Sequence, residues 1–166
     1  MLRRRILAAG AAVTVLPLLA SRVVAQQAAQ TAIPEEKQPM LTLGTYSKLT
    51  SELAVERATT ESVRTFAGLE VAEQEAVAAA FGAADAPPIM TEAQNAQLEQ
   101  LRAVDDAGFE MAYVDGQIAA HEEALPVAQT YAQSGTDPMA QGAAMVLVPA
   151  IESHLVMLRT MRASMG

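Results

Sequence analysis

The sequence predicts an all-α protein, folded as an up-and-down bundle of four main antiparallel helices and one short helix. Helix-forming Ala, Leu, Glu, Gln and Met are abundant, whereas only three Phe and three Tyr are available for strands. From about residue 43, apolar residues recur at helical spacing, and no segment shows sustained two-residue alternation. Because the connections between the long helices are short, we expect sequential helices to be antiparallel neighbours.

Each predicted helix is bounded by start or stop signals. Thr60 and Thr91 are expected N-caps, because a threonine hydroxyl can accept a hydrogen bond from the unpaired N–H groups of a first helical turn. Residues 82–88 interrupt the helical pattern with Gly, Asp and two prolines, and residues 134–137 end one helix and cap the next. The five predicted helices cover residues 45–58, 61–81, 92–104, 109–133 and 138–162.

The N-terminal segment, residues 1–25, is typical of a secretory signal peptide. Three arginines at positions 3–5 precede a charge-free apolar stretch over residues 6–20, and small residues follow. This stretch is shorter than the roughly 20 residues of a membrane-spanning helix. We therefore expect cleavage after Ala25 and a periplasmic or outer-envelope protein without a membrane span after processing. The arginines fit both the general secretory and the twin-arginine route, and an uncleaved anchor is the alternative.

The remaining chain divides into a flexible linker over residues 26–42, which is polar and lacks periodicity, and a bundle domain over residues 43–163. Four of the 11 basic residues leave with the signal peptide, so seven remain against 19 acidic residues, a net charge of −12. A chain this acidic repels phosphate backbones and anionic headgroups. We expect no nucleic-acid partner, and metal cations or an envelope protein are compatible partners. The absence of Cys excludes thiol chemistry.

Several polar side chains lie on helix faces that otherwise carry apolar residues. His121 lies in the middle of such a face, and His154 shares a row with Leu147 and Met161. Burying a polar group without a partner costs about 1–3 kcal/mol, so these groups must find each other, water or a cation. The side chains concerned are Glu56, Glu70, Gln74, Glu110, Gln117, His121 and His154.

Two main interpretations follow from this placement, and a small-ligand pocket or histidines at a helix end are the further alternatives. One is an internal polar network that sets the helix register. The other is a divalent metal site inside the bundle, with His121, His154, Glu70 and Gln74 as candidate ligands. The candidates for residues that surround these ligands and hold them in place are Glu56, Glu110 and Gln117.

The spacing excludes the sharpest metal motifs and indicates no catalytic group. A di-iron carboxylate bundle needs Glu-x-x-His on two helices, but Ile118 and Ile151 stand three residues before the histidines. Leu125 follows His121 by four residues, so no His-Glu-x-x-His motif exists. No Gly-rich phosphate loop or activated nucleophile is present.

The two histidines are expected to be close together. His121 and His154 lie on helices joined by a tight connection, so we expect both to be buried and within about one helical turn of the same level. Burial disfavours the imidazolium ion and lowers a histidine pKa, unless a carboxylate such as Glu70 offsets that effect.

Three segments resemble the family called domain of unknown function 4142. They are Ser-Val-Arg-Thr-Phe-Ala over residues 62–67, the stretch from Phe109 to His121 with its Ala-Tyr-Val-Asp-x-Gln core, and His154-Leu155. The resemblance covers about residues 43–163 and implies an exported bacterial protein with a ferritin-like bundle. The family has no established activity, so no chemistry is implied.

This chain departs from the family pattern at two positions. It has Glu73-Gln74 where the family usually has Asp-His, and Phe109-Glu110 where the family usually has Phe-Asp. The missing histidine removes one candidate ligand, for which Glu70, one turn earlier, is the substitute. We interpret the chain as an exported helical-bundle protein that acts as a binding or structural module without catalysis. The alternative is a metal-binding or redox ferritin-like bundle.

Overall fold

The computed structural model describes residues 33–166, which form an all-α helical bundle, as the sequence predicts. A short 3-10 helix, Glu35–Lys37, precedes the first α-helix. No strand occurs between residues 33 and 166. The predicted signal peptide, its cleavage site and residues 26–32 of the predicted linker lie outside the described residues. The α-helices are α1 Gln38–Arg57, α2 Glu61–Ala80, α3 Glu92–Ala103, α4 Asp106–Ser134 and α5 Pro138–Ser164.

The first helix begins at Gln38, seven residues before the predicted start at residue 45, so residues 38–42 are helical rather than part of a linker. Pro39 lies in the first turn, where its missing N–H removes no helical hydrogen bond. The buried Lys37 anchors this end, because its Nζ lies 2.6 Å from Asp137 Oδ2 and donates to the Phe81 carbonyl at 3.0 Å. The ion pair between Lys37 and Asp137 therefore holds a helical segment that begins before the apolar pattern of α1.

Side chains cap the N-termini of α3 and α5 as the sequence predicts, but the predicted cap of α2 does not form. The Thr91 hydroxyl accepts from the N–H of Gln94 in a capping box, and Asp137 accepts from the first N–H groups of α5. Thr60 occupies the N-cap position of α2, but its side chain makes no capping bond within that helix. Glu110 on α4 instead accepts from the N–H and the hydroxyl of Thr60, so a tertiary contact holds the start of α2.

The helices pack pairwise into the bundle. Three-residue connections join α1 to α2 and α4 to α5, and each pair packs along its length. Helix α1 also packs on α4, whereas α2 and α5 contact along a shorter stretch. Among the described helices, α5 alone is long and apolar enough to cross a membrane, a criterion that the core helix of a soluble protein can also meet. Among the neighbouring pairs of the four long helices, α2 and α5 share the shortest contact.

A layer of polar side chains divides the core into two apolar clusters. The Phe81 cluster lies nearer the α4–α5 turn and includes Met40, Val77, Tyr131 and Leu147. The Phe109 cluster lies nearer the α1–α2 turn and includes Phe66, Tyr113 and Leu158. The polar layer between them consists of the buried side chains of Ser47, Thr50, Ser51, Glu70, Gln117 and His121.

Candidate metal centre

Three side chains from three helices converge in the polar layer. His121 Nε2 on α4 lies 3.3 Å from His154 Nδ1 on α5. Glu70 Oε2 on α2 lies 3.4 Å from His154 Nδ1 and 3.6 Å from His121 Nε2. Glu70 and His121 are buried, and the His154 side chain is 14% exposed. The two histidines are therefore as close as the helical wheels predict, and Glu70 completes a triangle of ligand-type atoms.

One oxygen of Glu70 is held by the protein and the other is free to bind. Oε1 accepts from Ser47 Oγ at 2.6 Å and from Gln74 Nε2 at 2.9 Å. A Cβ at position 44 would lie 2.5 Å from Gln74 Oε1, so Gly44 makes room for this amide. Oε2 is buried, has no hydrogen-bond partner and faces both imidazoles. The surroundings thus orient the carboxylate and leave Oε2 available.

The outer nitrogen of His121 makes a hydrogen bond that orients its ring, and the outer nitrogen of His154 has a carboxylate nearby. His121 Nδ1 lies 2.8 Å from the Gln117 carbonyl oxygen, which can only accept, so this nitrogen carries the proton and Nε2 presents a lone pair to the centre. His154 Nε2 lies 3.7 Å from Glu73 Oε2, while Nδ1 faces the centre. Carbonyl or carboxylate partners on the outer nitrogen are typical of metal-binding histidines.

The charges at the centre demand a cation or a proton. Burial opposes the ionisation of Glu70, but the neighbouring imidazoles of His121 and His154 and the hydrogen bond from Ser47 outweigh it and hold the pKa of Glu70 well below its usual range. The nearby Glu70 carboxylate raises the pKa of His154 despite burial, as expected if this carboxylate offsets desolvation. Burial raises the pKa of Glu73. Oε2 faces the two imidazole nitrogens without a hydrogen-bond partner, and a proton or a cation between these atoms would satisfy it.

The distances match a tetrahedral ion. An ion bound tetrahedrally with bonds of about 2.0–2.1 Å keeps its ligand atoms about 3.3–3.4 Å apart. The measured separations are 3.3, 3.4 and 3.6 Å. An octahedral ion with the same bond length would hold neighbouring ligand atoms about 2.9 Å apart. The triangle therefore suits three ligands of a tetrahedral ion and leaves a fourth position open.

The structure brings together part of the predicted set. Glu70, His121 and His154 form the triangle. Gln74 borders it but directs its amide N–H to Glu70 rather than to the centre. Gln117 lies beside it and accepts from His121 through its backbone.

Two of the residues predicted to surround the ligands lie elsewhere. Glu56 is exposed, because α1 buries the face that carries Met40, Leu43 and Ser47 rather than the stripe of Leu49 and Leu53. Glu110 accepts hydrogen bonds from Thr59 and Thr60 at the start of α2. The wheel misplaced Glu110 because hydrogen bonding, not apolarity, decides its orientation.

Sequence reasoning missed Ser47 and Glu73 as members of the site. Ser47 follows Met40 and Leu43 at helical spacing, so a helix begun at residue 38 would have placed it on the buried face. Glu73 follows Glu70 by three residues and therefore lies on the same side of α2. Both spacings can be read from the sequence. The spacing of Ser47 becomes informative only when the true start of α1 is known, and that of Glu73 only when the position of His154 is known.

The fold and these side chains define a class of protein: a helical bundle whose central polar layer presents one carboxylate and two imidazoles to a common point. The chain matches the family model described as "Domain of unknown function (DUF4142)" over residues 22–161, and it belongs to that family. No curated protein and no solved structure matches the chain. The ferritin-like relationship stays a prediction.

Proposed function

We propose that this protein binds one divalent metal ion, with Zn²⁺ the best fit, through Glu70 Oε2, His121 Nε2 and His154 Nδ1. One observation carries the proposal: a buried carboxylate oxygen without a hydrogen-bond partner faces two imidazole nitrogens at tetrahedral spacing. Histidine nitrogens with one carboxylate oxygen form a common Zn²⁺ donor set, and such sites keep a fourth position open. The role is binding, and no reaction is assigned to the centre.

The layers around the three ligands support the proposal. Ser47 and Gln74 hold Glu70, the Gln117 carbonyl holds His121, and Glu73 lies beside His154. Such outer partners fix the tautomer and the direction of each ligand, which preorganises a site before the ion arrives. The ion would join α2 to α4 and α5, including the α2–α5 contact, which is the shortest among neighbouring pairs of the four long helices.

Direct titration tests the proposal. The full chain, freed of metal with a chelator, is titrated with Zn²⁺ in a calorimeter, and Co²⁺ serves as a visible reporter of coordination number. We expect one ion per chain and the intense absorption of four-coordinate Co²⁺. Glu110→Gln is the matched control, because it removes a carboxylate outside the triangle. An absence of stoichiometric uptake, or equal uptake by Glu70→Gln, would refute the proposal.

A proton instead of a metal ion is the second candidate. The raised pKa of His154 favours an imidazolium that satisfies Glu70 Oε2 within a purely structural network. A buried network of this kind sets helix register and takes up no metal. Stoichiometric Zn²⁺ binding at neutral pH decides against this candidate.

Export to the cell envelope is proposed for the same protein. It is supported by the basic start, the apolar stretch over residues 6–20 and the small residues before Gln26. N-terminal sequencing of the protein from fractionated cells is expected to find Gln26 in the soluble envelope fraction. Met1 retained in a membrane fraction would contradict this proposal.

A further inference from the structure

An apolar groove of about 580 Å³ runs between α2 and α5 and ends at the candidate metal centre. Phe66 and Leu69 line it from α2, and Val156, Met157 and Met161 line it from α5. Its inner end includes Glu70 and His154. The volume lies within the range of small-molecule sites, which is roughly 300–1,000 Å³.

The groove is open along its length. Leu69 is 65% exposed and Val156 is 64% exposed, although both are large aliphatic side chains. Glu61, which also lines the groove, precedes Glu70 by nine residues, or about 13 Å along α2. The space is therefore an elongated channel that leads from solvent to the metal ligands.

The opposite side of the triangle is nearly closed. A cavity of about 20 Å³ lies against Glu70, His121 and Gln74. A space of this size holds about one water molecule. The groove therefore gives a larger group more room to approach the ion than this side does.

The net charge of the metal-loaded centre indicates which head group a ligand would carry. A divalent ion with one carboxylate and two neutral imidazoles carries one net positive charge, which in a site of low dielectric favours an anion in the open position. Apart from the metal ligand Glu70, the groove is lined by apolar and hydroxyl side chains and by Glu61 at its far end. An anion at the metal end and an apolar tail along the groove complement this arrangement.

We propose that the groove binds an aliphatic monocarboxylate, with its carboxylate at the fourth position of the metal ion and its alkyl chain between α2 and α5. This inference rests on the proposed metal centre. Phe66 forms an apolar wall beside the metal ligands, because its ring centroid lies 5.4 Å from that of His154 in an edge-on arrangement. The chain then packs on Leu69, Val156 and Met157, which otherwise face water.

Binding of carboxylates of increasing length tests the proposal on the full chain. Metal uptake is measured first by calorimetry, and acetate, hexanoate and decanoate are then titrated into the Co²⁺-loaded protein while its visible spectrum is recorded. Each buried methylene is expected to raise affinity about fourfold, so decanoate should bind more than about 100-fold more tightly than acetate. The spectrum should change in the same way for all three ligands.

Two exposed apolar residues supply a matched pair of variants. Leu69→Ser should lower the affinity for decanoate several-fold and leave that for acetate unchanged. Val146→Ser is the control, because Val146 is also exposed on a helix but lies outside the groove. Both positions are at the surface, so both variants should keep the fold.

Several outcomes would overturn the proposal. Equal affinity for acetate and decanoate would show that the open position does not face the groove. Decanoate binding without any spectral change would show that its carboxylate does not bind the metal ion. A metal-loaded dimer that Leu69→Ser converts to a monomer would assign the groove to a second copy of the chain. Failure to take up metal in the first titration would instead refute the metal centre itself.

Discussion

Glu70 and Glu110 both hold helices together through an ionised carboxylate, but their surroundings differ. Glu110 Oε1 accepts from the backbone N–H groups of Thr59 and Thr60 at 2.5 and 2.8 Å, and the two hydroxyls add further bonds. Burial opposes its ionisation, but these donors outweigh it and lower the pKa of Glu110 to about 2. Glu70 has two donors on Oε1 and none on Oε2.

The number of hydrogen-bond donors around each carboxylate distinguishes the structural Glu110 from Glu70, the proposed metal ligand. Glu110 is satisfied on both oxygens by the residues whose helix it caps, so it needs nothing from outside the protein. Glu70 leaves one oxygen to face two imidazoles, so a mobile positive charge must complete its environment. The same residue type therefore serves stability at the end of the bundle and, in the proposed metal centre, ligand binding in its middle.

The largest expected effect distinguishes the two carboxylates directly. Glu70→Gln removes the anionic ligand and should weaken Zn²⁺ binding by at least about 100-fold, because a neutral amide is a poor ligand for this ion. Glu110→Gln should leave Zn²⁺ affinity within about twofold of the unmodified chain, because Glu110 has no contact with the centre. Calorimetric titration of both variants measures this contrast. Equal losses would show that the comparison is wrong.

The double variant His121→Leu and His154→Leu is expected to abolish metal-dependent stabilisation. For the unmodified chain, Zn²⁺ at about a hundredfold excess over Kd adds about 2.7 kcal/mol and should raise Tm by several degrees. The double variant should fold and show no Zn²⁺-dependent rise in Tm. Thermal unfolding with and without Zn²⁺ measures this, and a retained rise would place the metal elsewhere.

Ser47→Ala should weaken Zn²⁺ binding about tenfold, because Glu70 loses the donor that orients Oε1. Ser51→Ala is the matched control, since the Ser51 hydroxyl lies 2.8 Å from Tyr113 Oη and does not contact Glu70. Both variants remove one buried hydroxyl from α1. Equal Zn²⁺ affinities of the two variants would show that the Ser47 bond does not prepare the ligand.

The smallest expected effect concerns the pH dependence of stability at Glu110. Its folded pKa of about 2 lies below the unfolded value, so its contribution is present above about pH 4.5 and is lost as the pH falls toward about 2. Because Glu110 is largely open to solvent, screening limits this contribution to about 1 kcal/mol.

Urea unfolding of Glu110→Gln and of the unmodified chain checks this pH dependence. The free energies of unfolding should differ by about 1 kcal/mol at neutral pH and converge near pH 2. A difference that persists unchanged at low pH would contradict an ionised cap.

The helices were predictable because their causes are local. Thr91 and Asp137 begin their helices with side-chain caps, and apolar spacing in α2, α4 and α5 identifies the buried faces. Start positions were predicted poorly where a distant partner decides them. Lys37 extends α1 by its ion pair with Asp137, a hundred residues away in the sequence.

The three central side chains of the site were predictable from the sequence, but their hydrogen-bonded surroundings were not. Glu70, His121 and His154 stood out because a polar group on an apolar face requires a partner. Glu110 stood out for the same reason, yet it turns to the α2 N-terminus. A helical wheel reports which side of a helix a residue occupies, and it carries no information on which hydrogen bonds a long side chain reaches.

The sequence by itself determined the all-α bundle, the polar side chains on its apolar faces and the nearness of the two histidines, because helix propensity, capping, apolar periodicity and a short connection act within neighbouring segments. Only the tertiary structure decided that Ser47 and Gln74 bind one oxygen of Glu70 and leave the other facing both imidazoles. It also decided that α2 and α5 separate to form a groove beside that oxygen. These features depend on ångström-scale distances between helices, which follow from packing of the whole bundle and not from any local pattern.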